Sequence, residues 1–311
     1  MLFLRHAIPL LPARLIVPIP LLLVQPYLFT WLCVVHKGHY VTSESHRDRL
    51  HDYPYDHILF SPGNVCRTCE LLKPARSKHC NFCGVCIAMC DHHCPWINNC
   101  VGRGNYRYFL ALLLTLGAVE LYGAYLSWYI LQPHLKLNPA HSMFSTARFN
   151  NILDNFVIAV NTGGLSIAGV GLLTAATGFL PLGLLAYHCY LIWAGMTTNE
   201  SQKWSDWRED MRDGLVLKAN RRQLDKHYEL QGHVDHASNG GGPNSERLDR
   251  HVIEPSVPWP IRSDQVIIYS PDGQAPGTEE AFWTRIWNLH DVDNLYDLGG
   301  WSNLMEVLQG R

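Results

Sequence analysis

Three long stretches with almost no charge limit what this chain can become. Residues 15–35, LIVPIPLLLVQPYLFTWLCVV, carry no formal charge over 21 positions, and Arg14 and Lys37 close the run. A helix of that length crosses a hydrocarbon core of roughly 30 Å. Pro18, Pro20 and Pro26 are tolerated in such a helix when neighbours satisfy the freed carbonyls. No small-x-small cleavage site follows before HKGHY, so the run reads as a retained span, not a cleaved signal. Residues 108–131 form a second span, interrupted only by Glu120, which is expected to face the helix bundle. From Ile152 to Trp193 the only formal charge is Asp154.

The orientation follows from the positive residues. Residues 36–107 carry nine Lys and Arg, whereas 132–156 carry only Lys136 and Arg148, which places the first loop in the cytosol. The tail from 200 to 311 is charged and free of cysteine, unlike a disulfide-stapled exterior domain, so it too is expected in the cytosol. That parity requires one last span, at 168–194, with 132–167 as a non-cytosolic loop and Gly-rich lead-in. Gly163, Gly164, Gly169 and Gly171 suit close packing against a neighbouring helix. The fold expected is an all-α polytopic membrane protein with three clear transmembrane helices. Net charge of -2 and a pI near 6.8 argue against nucleic acid as a partner.

Eight of the ten cysteines fall between Cys66 and Cys100. In the cytosol, CxxC spacing of this density points to zinc and not to disulfides. With His79, His92 and His93 there are eleven candidate ligands, and two closed tetrahedral sites take eight. Counting does not decide which three remain. Along an extended segment alternate side chains share a face, so His92 and Cys94 fall together and His93 points the other way. If one face holds metal, His93 is a ligand and His92 stands beside the Cys94 thiol. A neighbouring imidazole can then raise a thiolate fraction that is otherwise only a few per cent at pH 7. Asp91 would hold the tautomer of His92. Trp96 follows the thiol at a position suited to the membrane interface.

The run CRTCELLKPARSKHC…NFCGVC…DHHCPWINNCVGRGNYRYFL resembles the cysteine-rich domain of the DHHC-type protein S-acyltransferases, or palmitoyltransferases, over about 45 residues. Thr197–Glu200, TTNE, is similar to that family's TTxE motif, and NLYDLGGWSNLMEVL at 294–308 to its C-terminal aromatic element. The style of the sequence is most similar to the fungal endoplasmic-reticulum branch acting on SNARE-like proteins. The resemblance implies two interleaved zinc sites, Cys66, Cys69, His79 and Cys86 for the first and Cys80, Cys83, His93 and Cys100 for the second. It implies Cys94 as the acylated nucleophile, His92 as its base and Asp91 as the orienting carboxylate, with Thr198 and Asn303 in support. Trp96 and Phe109 would line the acyl entrance, and Lys73, Arg76 and Lys78 would face coenzyme A. The implied activity is protein-cysteine S-palmitoylation in two steps, from palmitoyl-CoA through a thioester on Cys94 to cysteines of membrane-associated proteins, SNARE-like ones among them. The active site would face the cytosol at the endoplasmic reticulum, with the Golgi as alternative.

Most members of that family have four spans, so either the first span is missing from this chain or residues 1–14 are its remnant. The cysteine-rich domain is then 64–107 within the cytosolic region 36–107. The tail 195–311 contains the TTxE motif (197–200), a flexible linker (232–250) and the aromatic element (280–308). Cys90 has no assigned role, Cys33 and Cys189 read as small hydrophobes, and the histidines at 36, 39, 46, 51 and 57 read as loop residues. Trp204 and Trp207 suit a helix on the membrane surface or an ordinary packing face. The rival function is a non-catalytic zinc-binding membrane scaffold. A thiol-disulfide oxidoreductase ranks third, because zinc accounts for the CxxC pairs.

Overall fold

The structure is a computed structural model that describes residues 2–135, 146–227, 255–276 and 280–310. The linker expected at 232–250 and Lys136, used above to orient the loops, lie outside the described residues. The chain divides into two compact units, Met1–Val35 with Arg107–His188, and His36–Tyr106 with Cys189–Arg311.

The helices with both ends in the described residues are, in chain order, α1 (Leu2–Ala7), α2 (Ala13–Ile16), α3 (Pro18–Val35), α4 (His46–Leu50), α5 (Tyr106–Leu131), α6 (Thr146–Thr177), α7 (Phe179–Trp193), α8 (Thr198–Arg212) and α9 (Gly300–Gln309). Among the described residues, three helical segments are long and apolar enough to cross a membrane: Ala13–Val35, Tyr106–Leu131 and Thr146–Trp193. This makes the chain an integral membrane protein, as the uncharged runs predict.

In the first unit α1 packs against α6, and Ala7, Leu11, Leu126, Ile130, Ala159 and Ile167 share one buried cluster. The Tyr122 hydroxyl donates to the Leu15 carbonyl at 2.9 Å, tying α5 to α2. Leu21, Val24, Tyr27 and Trp31 of α3 are exposed, as side chains meeting lipid would be. On α5, Glu120 Oε2 is buried with no hydrogen-bond partner among the described residues.

The region 132–167 contains more helix than the sequence reading expects, since α6 starts at Thr146. Phe149, Ile152, Leu153, Phe156, Val157 and Val160 repeat at helical spacing, a stripe that marks the helix in the sequence. The break comes at Gly164, where φ is 68° and ψ 173°, a conformation glycine adopts freely and side-chain-bearing residues resist. The expected close packing is met at Gly171, where an added Cβ would lie 2.5 Å from Ser127 Cβ on α5.

The second unit adds short strands to its helices. β1 (Tyr40–Val41), β2 (Lys78–Cys80) and β3 (Val85–Ile87) form a sheet in the order β1-β3-β2, and β4 (His92–Cys94) pairs with β5 (Asn99–Val101) as a hairpin. β6 (Val216–Asn220), β7 (Gln265–Tyr269) and β8 (Thr284–Arg285) make a third sheet in the order β7-β6-β8. Met211, Val216, Ile267 and Ile286 are its core, and Trp207 packs on them. Trp204 is buried as well. Both tryptophans of α8 therefore belong to a packing face.

Candidate active site and metal clusters

Antiparallel pairing places the metal donors. β2 and β3 pair with His79 opposite Cys86, and β4 and β5 with His93 opposite Cys100. Each cross-strand pair meets a CxxC knuckle in which the second cysteine's amide donates to the first sulfur, Cys69 to Cys66 at 3.5 Å and Cys83 to Cys80 at 3.4 Å. Tetrahedral zinc, with Zn–S about 2.3 Å and Zn–N about 2.0 Å, requires S···N separations of about 3.5 Å and S···S of about 3.8 Å. From His79 Nδ1 the sulfurs of Cys69, Cys66 and Cys86 lie at 3.3, 3.5 and 3.9 Å. From His93 Nδ1 those of Cys83, Cys80 and Cys100 lie at 3.5, 3.6 and 3.7 Å, and Cys83 and Cys100 sulfurs are 3.6 Å apart. Both clusters thus have the dimensions and donor set of a closed Cys3His zinc site.

The hairpin that supplies His93 also carries the other face. His92 and Cys94 flank His93 on β4, and the ring of His92 is hydrogen bonded to the Cys94 thiol. His92 Nδ1 donates to Asp91 Oδ2 at 2.6 Å, so its Nε2 is the atom left for sulfur. Cys94 also receives the backbone N–H groups of Trp96 and Ile97. These belong to the turn that reverses β4 into β5, closed by the Asn98 amide on the Pro95 carbonyl at 3.2 Å with Asn98 at φ 45°. Burial raises the Cys94 thiol, but the His92 imidazole and the two amides outweigh it and hold the thiol below its ordinary value. Burial likewise lowers His92, and its bonds to Asp91 and Cys94 reverse the sign, bringing it up to about 9. Together they favour a thiolate beside an imidazolium.

Asp91 is buried and saturated. Its Oδ1 accepts the Thr198 amide at 2.8 Å, its Oδ2 accepts the Thr198 hydroxyl at 3.0 Å besides His92, and the Tyr106 hydroxyl is a further donor. Thr198 is delivered by the start of α8. There Thr197 caps the helix, its side chain accepting from the Glu200 amide and the Glu200 carboxylate from its own, the reciprocal capping box that a T-x-x-E sequence encodes. The Thr197 hydroxyl also donates to the Cys90 carbonyl at 3.1 Å, so α8 grips both sides of Asp91.

Asn303 lies at the end of the last apolar segment. Its amide donates to the Trp193 carbonyl at 3.2 Å and to Asp297 at 2.8 Å, and its oxygen accepts the Leu298 amide at 2.9 Å. Asn294, which the sequence reading did not single out, donates to the Ala194 carbonyl at 3.1 Å. A pair of asparagines in one aromatic motif was the available signal.

Arg76 is not where the sequence reading puts it. It is 2% exposed, its Nε and guanidinium nitrogen donating to the two oxygens of Glu200 at 2.7 Å each, between the rings of Tyr53 and Tyr296. A guanidinium so enclosed does not present itself to a soluble phosphate. Lys73 and Lys78 do line a polar groove of about 520 Å3 together with Lys203 of α8. Trp96 is 94% exposed, Phe109 is buried on α5 against the ring of His188, and Cys90 is buried among Cys80, Ile87 and Cys100.

Apolar spanning helices, two Cys3His clusters and a Cys-His-Asp relay on the hairpin of one of them define an integral-membrane protein with a site built for thiol nucleophilic chemistry. The family model for DHHC palmitoyltransferases matches residues 59–205. The chain is similar to palmitoyltransferase swf1 of Aspergillus fumigatus, 39% identical over 93% of this chain and 77% of that protein. It is also similar to palmitoyltransferase SWF1 of Neurospora crassa, at 37% over 91% and 65%, and of Saccharomyces cerevisiae, at 33% over 65% and 52%. The chain belongs to the DHHC palmitoyltransferases, in their Swf1 branch, and is a protein S-palmitoylating enzyme.

Proposed function

We propose that the enzyme works in two steps through Cys94, taking its acyl group from a long-chain acyl-CoA such as palmitoyl-CoA. The observation that carries this reading is the unbroken chain of hydrogen bonds from Thr198 through Asp91 and His92 to the Cys94 sulfur. The Cys94 thiolate attacks the thioester carbonyl, a Cys94–acyl bond forms, the carbon–sulfur bond to CoA breaks, and the departing CoA thiolate takes the proton held on His92. In the second step His92 accepts the proton of an incoming substrate cysteine, whose sulfur displaces Cys94. One thioester replaces another in each step, so no energy source is consumed. Asp91 holds the His92 tautomer and favours its charged form, and Thr198 and Tyr106 position Asp91.

Two zinc ions would occupy the Cys3His clusters. With four protein donors apiece they leave no open position, and their contribution is to cross-link strands that otherwise have only a few residues of pairing. Lys73 and Lys78 supply positive charge for the phosphates of CoA in a groove that Lys203, bonded to the Leu59 carbonyl, and Asp206 also line. Trp96, exposed at the hairpin turn, suits the membrane interface. The substrates proposed are membrane-associated proteins with cysteines next to their spans, SNARE-like ones among them, met at the cytosolic face of the endoplasmic reticulum. The density of Lys and Arg in 36–107 supports that orientation.

The test is incubation of the purified protein with labelled palmitoyl-CoA. A hydroxylamine-labile label on wild type that disappears in Cys94→Ala supports the assignment. No label on folded, zinc-loaded protein favours the non-catalytic scaffold, and a label that survives Cys94→Ala moves the nucleophile elsewhere.

A further inference from the structure

The groove that holds Lys73 and Lys78 is also lined by α8, and what α8 brings to it is different chemistry. Asn199, Gln202, Lys203 and Asp206 face the groove, spaced three and four residues apart along one side of the helix. The one cation among them is committed, because Lys203 Nζ donates to the Leu59 carbonyl at 3.1 Å and lies 3.9 Å from the centre of the Phe60 ring. The helix therefore offers a ligand two primary amides and a carboxylate. Asn199 is the unexplained member. It is only 4% exposed, and its Nδ2 is buried with no hydrogen-bond partner among the described residues. A buried donor left so weakens the fold unless an acceptor enters. The helix start does not need it, since Thr197 and Glu200 make the capping box and Thr198 holds Asp91.

Position and charge select the acceptor. Asn199 directly follows Thr198, whose amide and hydroxyl hold Asp91 beside His92, so the backbone ties it to the relay. In an acyl-CoA with its thioester at Cys94, the first polar groups beyond the sulfur are the two neutral amides of the pantetheine arm, and the phosphates come after them. A primary amide matches a secondary one: Nδ2 donates to its carbonyl, Oδ1 accepts from its N–H, and a half-turn of the side chain exchanges the two ends. Side chains three apart on a helix stand about 5–6 Å from each other, close to the separation of the arm's two amides, which places Gln202 to meet the second. A phosphate is disfavoured on this side by the Asp206 carboxylate, and the cations free to meet it, Lys73 and Lys78, come from a different segment. We propose that Asn199 binds an amide of the pantetheine arm and so positions the thioester, leaving the phosphates to Lys73 and Lys78. This rests on the reading of the groove as the CoA site.

The experiment is autoacylation of the full, zinc-loaded chain in detergent over a range of two donors, palmitoyl-CoA and S-palmitoyl-pantetheine, which keeps both amides and lacks every phosphate. Asn199→Leu repeats the branched shape of asparagine without its polar atoms. It is expected to raise the half-saturating concentration about fivefold for both donors, with a smaller change in the maximal rate. Its thermal midpoint should equal or exceed that of wild type, because an unpaired buried amide is gone, whereas an asparagine with a merely structural role would cost stability on removal. Lys73→Gln combined with Lys78→Gln should raise the half-saturating concentration of palmitoyl-CoA about tenfold relative to that of palmitoyl-pantetheine. If the lysine variant discriminates in this way but Asn199→Leu shifts neither donor, the proposal is overturned and the groove remains the CoA site. An Asn199→Leu effect confined to palmitoyl-CoA puts a phosphate at Asn199 and overturns the amide assignment, and a fall in thermal midpoint and maximal rate without a shift in half-saturation makes Asn199 structural. If the lysine variant changes neither donor, the groove is not the CoA site and both readings fall.

Discussion

Arg76 and Glu200, 124 positions apart, meet in a two-pronged ion pair with both N···O distances at 2.7 Å and side chains 2% and 1% exposed. The pair joins the cysteine-rich segment to the first turn of α8, which positions Asp91 through Thr198. Arg76 holds this place at φ 60°, in the left-handed region that a residue with a side chain adopts only under constraint.

Two buried charges add little stability as a pair, but removing one leaves the other uncompensated at a cost of about 3–5 kcal/mol. Arg76→Ala should therefore lower the unfolding midpoint by about 10 °C. Arg76→Lys, which keeps the charge but loses the fork, should recover part of it. A fall of less than 2 °C for the alanine variant in a thermal melt would mean the pair is not a keystone of the fold.

Thr198 acts on the sulfur only through Asp91. Thr198→Val removes the hydroxyl donor at 3.0 Å and leaves the backbone donor at 2.8 Å in place. Loss of one bond to a charged acceptor corresponds to roughly 1.5–3 kcal/mol, of which the remaining donors to Asp91 absorb part, so autoacylation should slow about tenfold. Thr198→Ser should restore the rate, because only the hydroxyl matters to this role. If serine fails where valine fails, the methyl group and its packing are the cause.

What the sequence makes legible here are features of short range. Alternation along HHC separates His92 and Cys94 from His93, and CxxC spacing announces the two knuckles, because both depend on neighbours two or three residues apart. Uncharged runs announce the spans for the same reason. Arg76 is misread because KPARSKHC looks like a basic exposed strip, and nothing local says that one of its three cations turns inward to a glutamate 124 residues away. Asn294 and Tyr53 have their roles through contacts with distant backbone and side chains, which no local pattern encodes. The helix before Gly164 is legible in its apolar period, although the adjacent glycines are poor helix formers.

Asp56 supplies a pH dependence of defined sign. Its Oδ1 accepts three backbone amides, from Ile58, Leu59 and Phe60 at 3.1, 3.0 and 2.8 Å, yet burial outweighs these bonds and brings the carboxyl up from 3.8 to about 6. A raised folded value means that Asp56 favours the fold below about pH 4 and that this contribution disappears as pH rises through 6. The cost at pH 7.5 is at most about 3 kcal/mol. Because one oxygen takes all three amides, Asp56→Asn keeps the turn and removes the charge. The variant should be more stable than wild type at pH 7.5, and the gap should narrow on going to pH 5.5. Comparing the two proteins at each pH cancels the acid loss of metal that both share. A variant less stable than wild type at pH 7.5 would refute the sign.

Adjacent histidines with different jobs let metal binding be separated from acylation. His93 Nδ1 lies 3.5–3.7 Å from three cysteine sulfurs, whereas the His92 ring is bonded to Asp91 and Cys94. His92→Ala should keep two zinc ions per chain by elemental analysis and lose autoacylation by about 10²-fold or more, the usual contribution of a positioned acid-base group. His93→Ala should retain one zinc and also lose acylation, because without its fourth ligand the hairpin no longer presents Cys94 to His92. His93→Cys, which offers the metal a fourth thiolate, should restore the second zinc and part of the activity. If His92→Ala instead gave up a zinc ion, the two faces of the strand would be assigned the wrong way round. If His93→Ala kept both ions, the second cluster would not need its imidazole. The outcome rests on one property of an extended chain: a single strand can commit one histidine to metal and leave its neighbour to sulfur, because their side chains leave the backbone in opposite directions.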